Sequence, residues 1–138
     1  MADKKKFRLK VVTPTKVILD IDVDMASLYT VDGQIGVLAG HEPIATVLAP
    51  GVLRYYIDEK IERLAVFSGF VEINGKEVIV LTDASEHLNE IDLARAKEAE
   101  ERAKARLAAK SDDIDIERAK AALERALVRQ KLAYGSDE

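Results

Sequence analysis

Four charged residues in the last third of the chain fall in two pairs whose spacing could do chemistry. Asp92 and Arg95 stand one helical turn apart, and so do Arg125 and Arg129. An aspartate just ahead of an apolar-periodic run can accept from the free backbone N–H groups of a helix's first turn, where it also faces the positive end of the dipole. A capping box would place Glu or Gln three residues later, and Arg95 stands there instead. The neighbours of Arg125 and Arg129 at three and four residues are Ala121, Ala122, Ala126, Val128, Leu132 and Ala133, with no acid among them. Such a pair is either solvated or answered from outside its own helix, by a phosphate chain or an acidic partner helix. Glu98 precedes Arg102 by four, the favourable order for a pair within one helix.

Other chemistry is poorly supported. Residues 32–43 read Asp-Gly-Gln-Ile-Gly-Val-Leu-Ala-Gly-His-Glu-Pro, with three glycines at close spacing. A P-loop needs Lys-Ser or Lys-Thr after its last glycine, and a dinucleotide loop needs G-x-G-x-x-G. Neither is present. His41 has no second histidine nearby, so it reads as a turn residue satisfied by backbone. There is no cysteine, which excludes disulfides and thiolate chemistry. No paired catalytic groups or metal ligands appear.

Glu86 to Arg102 divides the chain that must position these residues. Six of the seven glycines and all three prolines precede it, while alanine and charged residues dominate after it. The first part has the rhythm of strands and turns. Phe7, Leu9 and Val11 alternate with Arg8 and Lys10, and Val17, Leu19, Ile21 and Val23 alternate with Lys16, Asp20 and Asp22. Residues 25–31 give a third strand. Residues 32–43 break the rhythm, then 44–48, 52–57, 61–67, 70–73 and 78–81 follow. Ser68-Gly69 marks a bulge or tight bend, and Asn74-Gly75 a hairpin. About ten short strands suffice for an antiparallel β-sandwich with its own core.

The second part predicts two helices. Leu93, Ala96, Ala99, Ala103 and Leu107 share one face, and Ile116, Ala119, Leu123 and Leu127 give the matching stripe. Ser111-Asp112-Asp113 is the break, and its shortness predicts an antiparallel hairpin. Ile114 to Lys120 echoes Ile91 to Lys97, as two helices using the same start signal. The fold class is therefore α+β, with a sandwich over 1–88 and a C-terminal two-helix hairpin over 89–138. An alanine-rich seam buries little apolar area, so such a hairpin can leave its partner and act as a switch.

Composition bounds the partners. The 138 residues carry a formal net charge of −4, which disfavours non-specific nucleic-acid binding. Lys4-Lys5-Lys6 is the one basic run and reads as a solvated tail. No apolar run approaches the ~18 residues of a membrane span, and no signal peptide is visible. Membrane association is expected only through a partner.

The stretch at 32–43 closely resembles the signature loop of the ATP synthase epsilon subunit family. Val12-Thr13-Pro14 and Phe67-Ser68-Gly69-Phe70-Val71-Glu72 match that family in order and spacing. One glycine stands at 69 where many members have two. Ile91-Asp92-Leu93-Ala94-Arg95-Ala96 is similar to the sequence that marks bacterial members which bind ATP in the folded hairpin. The resemblance implies a nucleotide site of Glu86, Ile91, Asp92, Arg95, Arg102, Arg125 and Arg129. It implies ATP, with Mg2+, as a regulatory ligand and no catalytic cofactor. In that site the arginines would neutralise phosphates from two helices, Glu86 would accept from the adenine amino group, and Asp92 would fix Arg95 or the helix start.

The resemblance also implies a non-catalytic rotor-stalk subunit of a bacterial F-type ATP synthase. The implied partners are the gamma subunit, the membrane rotor ring and the alpha and beta catalytic subunits. The implied place is the cytoplasmic face of the cell membrane, held peripherally, coupling the catalytic head to a proton-driven rotor. The hairpin would block ATP hydrolysis when it extends. A chloroplast member of the family is a variant of this reading. The rival is a helical scaffold or adaptor with no nucleotide response, and a free-standing enzyme is the weakest alternative.

Overall fold

The computed structural model describes residues 5–109 and 111–135. Ten strands come first: β1 Phe7–Val12, β2 Val17–Val23, β3 Met25–Thr30, β4 Gly33–Leu38, β5 Ile44–Leu48, β6 Gly51–Ile57, β7 Lys60–Val66, β8 Gly69–Ile73, β9 Glu77–Thr82 and β10 Ser85–His87. A single 3-10 turn, Leu88–Glu90, leads to helices α1, Leu93–Ala109, and α2, Ile116–Tyr134. The chain divides into two compact units, Met1–Glu86 and His87–Glu138.

The strands form one sheet in the order β10-β7-β6-β3-β5-β8-β9-β1-β2, with β4 paired to β3. The sheet turns its corner at β3. Met25 to Ser27 pair with β6, while Thr30 at the other end of the strand pairs with Leu48 of β5. The inner faces enclose a core that includes Phe7, Leu9, Val11, Val23, Leu53, Leu64, Val71, Val78 and Val80. Alternation explains it: along β1 every second residue is buried, and Arg8 and Lys10 between them reach acids on neighbouring strands.

Several local expectations need correction. The pairing is not wholly antiparallel, because β1 runs parallel to β9, from Arg8 opposite Glu77 to Val12 opposite Leu81. No hairpin links β1 to β9, so a parallel pairing is open to it. Residues 32–43 do not break the strand rhythm throughout. Gly33 to Leu38 form β4, hydrogen-bonded to β3 with Thr30 opposite Gly33. Glycines in a strand weaken its sequence signature without preventing pairing. The Thr30 hydroxyl closes that hairpin by donating to the Gly33 carbonyl at 2.8 Å. Ser85–His87 adds a strand that its three residues do not announce. Finally, Lys6 is not part of a solvated tail, since it lies 3.4 Å from Asp24 and 3.2 Å from Asp58. Lys4 of the same basic run lies outside the described residues.

The turns obey their chemistry. Asn74 accepts from the backbone N–H groups of Lys76 at 2.8 Å and Glu77 at 2.9 Å. Gly69 has φ +154°, and a Cβ there would overlap the Leu81 carbonyl oxygen.

Candidate functional site

Helix α1 starts where Asp92 predicts. Its Oδ1 accepts from the Arg95 backbone N–H at 3.0 Å. Asp92 thus fixes the helix start through the backbone of Arg95, not through its guanidinium. The second helix repeats the device, with Asp115 accepting from the Arg118 N–H at 3.1 Å. Asp115 is the cap, and Ser111 closes the preceding turn through its side chain to the Asp113 N–H at 3.2 Å. Gly135, in the left-handed conformation at φ 67°, ends α2.

Between the helices lies a seam of small residues: Ala96 and Ala103 on α1, Ala119 and Ala126 on α2, all buried. Small side chains let two helix backbones approach closely. The expected stripe on α1 holds, with Leu93, Ala99 and Leu107 half-buried beside the two buried alanines. On α2 the expected stripe is only partly right. Ile116 is 49% exposed and Leu127 37%, while Val128 and Leu132 are buried. Two steps of four from Ala119, to Leu123 and then Leu127, rotate off the buried face, because the helix repeats every 3.6 residues.

Polar contacts lace the helices together. The Glu100 carboxylate pairs with Lys104 on its own helix at 2.5 Å and accepts from Gln130 Nε2 of α2 at 2.8 Å. The Lys104 and Gln130 hydrogen bonds hold the Glu100 carboxyl below its ordinary range, and Glu100 raises Lys104 in turn. Lys97 sits 5.7 Å from the centre of the Tyr134 ring. These pairings set the first half of α1 beside the last half of α2, so the helices are antiparallel. Among the described residues, the pair spaced by four that α1 makes is Glu100–Lys104, and Glu98–Arg102 is not formed.

The residues expected to hold a nucleotide sit in both units. Ile91, half-buried, and Asp92 and Arg95, both exposed, stand at the start of α1. Arg102 is exposed about 10 Å further along the same helix. Arg125 and Arg129 are half-buried on α2. These six belong to the helical unit, and the arginines lie on both of its helices. Glu86 is half-buried on β10, in the other unit. Sequence reasoning missed Lys97, Glu100, Gln130 and Tyr134, because which residues meet across a hairpin depends on how one helix is rotated against the other.

A second candidate surface lies on the outer face of the sheet. Five residues on five adjacent strands are consecutive register partners: Val47, Phe70, Leu81, Val12 and Val17. Val47 is 41% exposed, Phe70 59%, Leu81 46% and Val17 62%. A groove of about 550 Å³ runs beside them, lined also by Pro14, Ser68 and Asp83. The next register row is Ala45, Glu72, Ile79, Lys10 and Asp20, and beyond it stand Glu77, Arg8 and Asp22. The outer face is therefore apolar at one end and charged at the other, which is the pattern of a docking surface. Alternation exposes each of these residues singly, but only the pairing of β1 with β9 joins them into a row.

Both units match known families. The family model for the ATP synthase delta/epsilon chain beta-sandwich domain matches residues 6–88, and the model for its long alpha-helix domain matches residues 89–133. The ATP synthase epsilon chain of Carboxydothermus hydrogenoformans is 47% identical over 111 residues, covering 80% of this chain and 81% of the relative. A sodium ion specific epsilon chain from Acetobacterium woodii is 41% identical over 102 residues, 73% of this chain and 77% of the relative. Among solved structures, a chain of the Euglena gracilis mitochondrial ATP synthase superposes with a TM-score of 0.80 at 28% identity, over 88% of this chain and 78% of that one. A chain from the central stalk and c-ring of the Tetrahymena thermophila enzyme has a TM-score of 0.64 at 16% identity, over 96% and 99%, a likeness of fold. Among the described residues no helix is long and apolar enough to cross a membrane. With sandwich and helices both matched, the chain belongs to the ATP synthase delta/epsilon chain family.

Proposed function

We propose that this chain is the non-catalytic epsilon subunit in the central rotor stalk of a bacterial F-type ATP synthase, and that its helical unit senses ATP and restrains ATP hydrolysis. The sandwich would hold the gamma subunit and the membrane rotor ring at the cytoplasmic face of the membrane, and the helices would reach the alpha and beta subunits when they extend. The observation that carries the regulatory reading is the placement of arginines on both helices of one alanine-seamed hairpin: Arg95 and Arg102 on α1, Arg125 and Arg129 on α2. The donor set suits a polyanion, because guanidinium groups bind phosphate oxygens in bidentate fashion. Mg2+ would arrive on the phosphates. A ligand that binds only the closed hairpin stabilises it by about 2.7 kcal/mol at a hundredfold excess over Kd. That is comparable to what a small alanine-rich seam supplies.

Titration of the full chain with Mg-ATP tests the site. Arg125→Ala with Arg129→Ala removes two charge-assisted contacts worth ~1.5–3 kcal/mol each, so binding should weaken at least a hundredfold with helix content kept. Asp92→Ala with Arg95→Ala should act likewise. Parent-like binding by either variant would rule the site out. In the assembled synthase, a chain cut before Asp92 should support assembly and relieve inhibition of hydrolysis. Inhibition at full strength would show that the hairpin is not the brake.

A further inference from the structure

We propose that Glu100 and Gln130 form a latch near the open end of the hairpin, and that this latch sets how often α2 parts from α1. The proposal rests on the reading of the helical unit as a moving part, and it adds a control that works with no nucleotide present. The connection between Ala109 and Ile116 ties the helices at one end, so separation must start at the other. Among the described residues, contacts near that free end include Lys97 with Tyr134 and Glu100 with Gln130. Behind them the seam includes Ala103, Ala119 and Ala126, whose single methyl groups give up little apolar burial when they part, together with the half-buried Leu107 and Leu123. Glu100 with Gln130 is therefore a polar contact that α2 must break early as it parts from α1.

The chemistry of the pair supports the role. Lys104 orients the Glu100 carboxylate from the same helix, so the acceptor is already placed before Gln130 arrives. The Glu100 side chain is only 16% exposed, so water replaces a lost partner incompletely. The bond also has a direction. The donor is an amide on α2 and the acceptor is a charge on α1, so exchanging the two types should preserve it, while two carboxylates facing each other should force the helices apart.

Hydrogen exchange of the full chain at neutral pH, read over amides 127–134, tests this. Gln130→Ala should speed exchange there about tenfold, the loss of one charge-assisted bond in a partly exposed site. Gln130→Glu should speed it further. Adding Glu100→Gln to Gln130→Glu restores a donor opposite an acceptor and should return exchange to near the parent rate. If Gln130→Glu leaves exchange unchanged, or if the double variant stays as open as the single one, the latch is wrong. Hydrolysis by the assembled synthase carrying Gln130→Glu separates the latch from the reading it rests on. Faster exchange with unaltered inhibition keeps the latch and removes its regulatory role. Unaltered exchange with altered inhibition removes the latch and leaves the moving hairpin in place.

Discussion

At the scale of single residues, some side chains act on partners a few positions away, and some positions have a backbone that admits no alternative. Gly69 is the second kind. Thr82 donates to the Ser68 carbonyl at 2.8 Å, and the Ser68 hydroxyl donates to Asp83 at 2.7 Å, so the bend is stapled to the end of β9. With φ at +154° and the Leu81 carbonyl in the way, alanine meets both strain and a clash with immobile backbone. Gly69→Ala should cost at least ~2 kcal/mol, seen as a lower urea midpoint with an unchanged slope. Asp92, Asn74 and the bend at Ser68-Gly69 were legible in the sequence because each acts on its own neighbourhood. Glu100 was not. It is one of several acids on α1, and nothing in its flanks distinguishes the one that meets Gln130.

At the scale of elements, the hairpin has a defined pH range. Glu100 titrates below its ordinary value of 4.5 in the folded state, so its pairing contributes fully above the ordinary glutamate range and is lost as pH falls through and beneath it. Lys104 titrates above 10.5, so its contribution is complete below the ordinary lysine range and fades as pH rises past it. Thermal melts monitored at 222 nm should show the helical transition falling on acidification below about pH 4.5, and Glu100→Gln should flatten that dependence. Helix stripes and strand alternation were readable because each reports burial at a fixed period. β4 escaped because the strongest letters in and around it are glycines, which speak of turns, and because its pairing with β3 is a contact the local pattern cannot state.

At the scale of the whole molecule, the apolar row across β5, β8, β9, β1 and β2 is where assembly should be most sensitive. Burying Phe70 or Leu81 at an interface is worth roughly 1.5–3 kcal/mol each. Phe70→Glu with Leu81→Glu should therefore weaken binding to the remaining stalk subunits at least a hundredfold, measured by co-elution, while the β circular dichroism stays as in the parent. The fold class was legible from composition and rhythm. The row was not, since it depends on a parallel pairing between residues about seventy positions apart. The paired aspartate caps have a mechanical consequence. Asp92 and Asp115 each satisfy their own helix within three residues, and Gly135 closes the last turn, so neither helix needs the other for its ends. A hairpin that opens keeps two rigid rods of 17 and 19 residues, about 26 and 29 Å long. Set end to end across a straightened connection, they make a lever of roughly 60 Å. If the proposed latch governs opening, loss of one contact there would be converted into a displacement far longer than the contact itself.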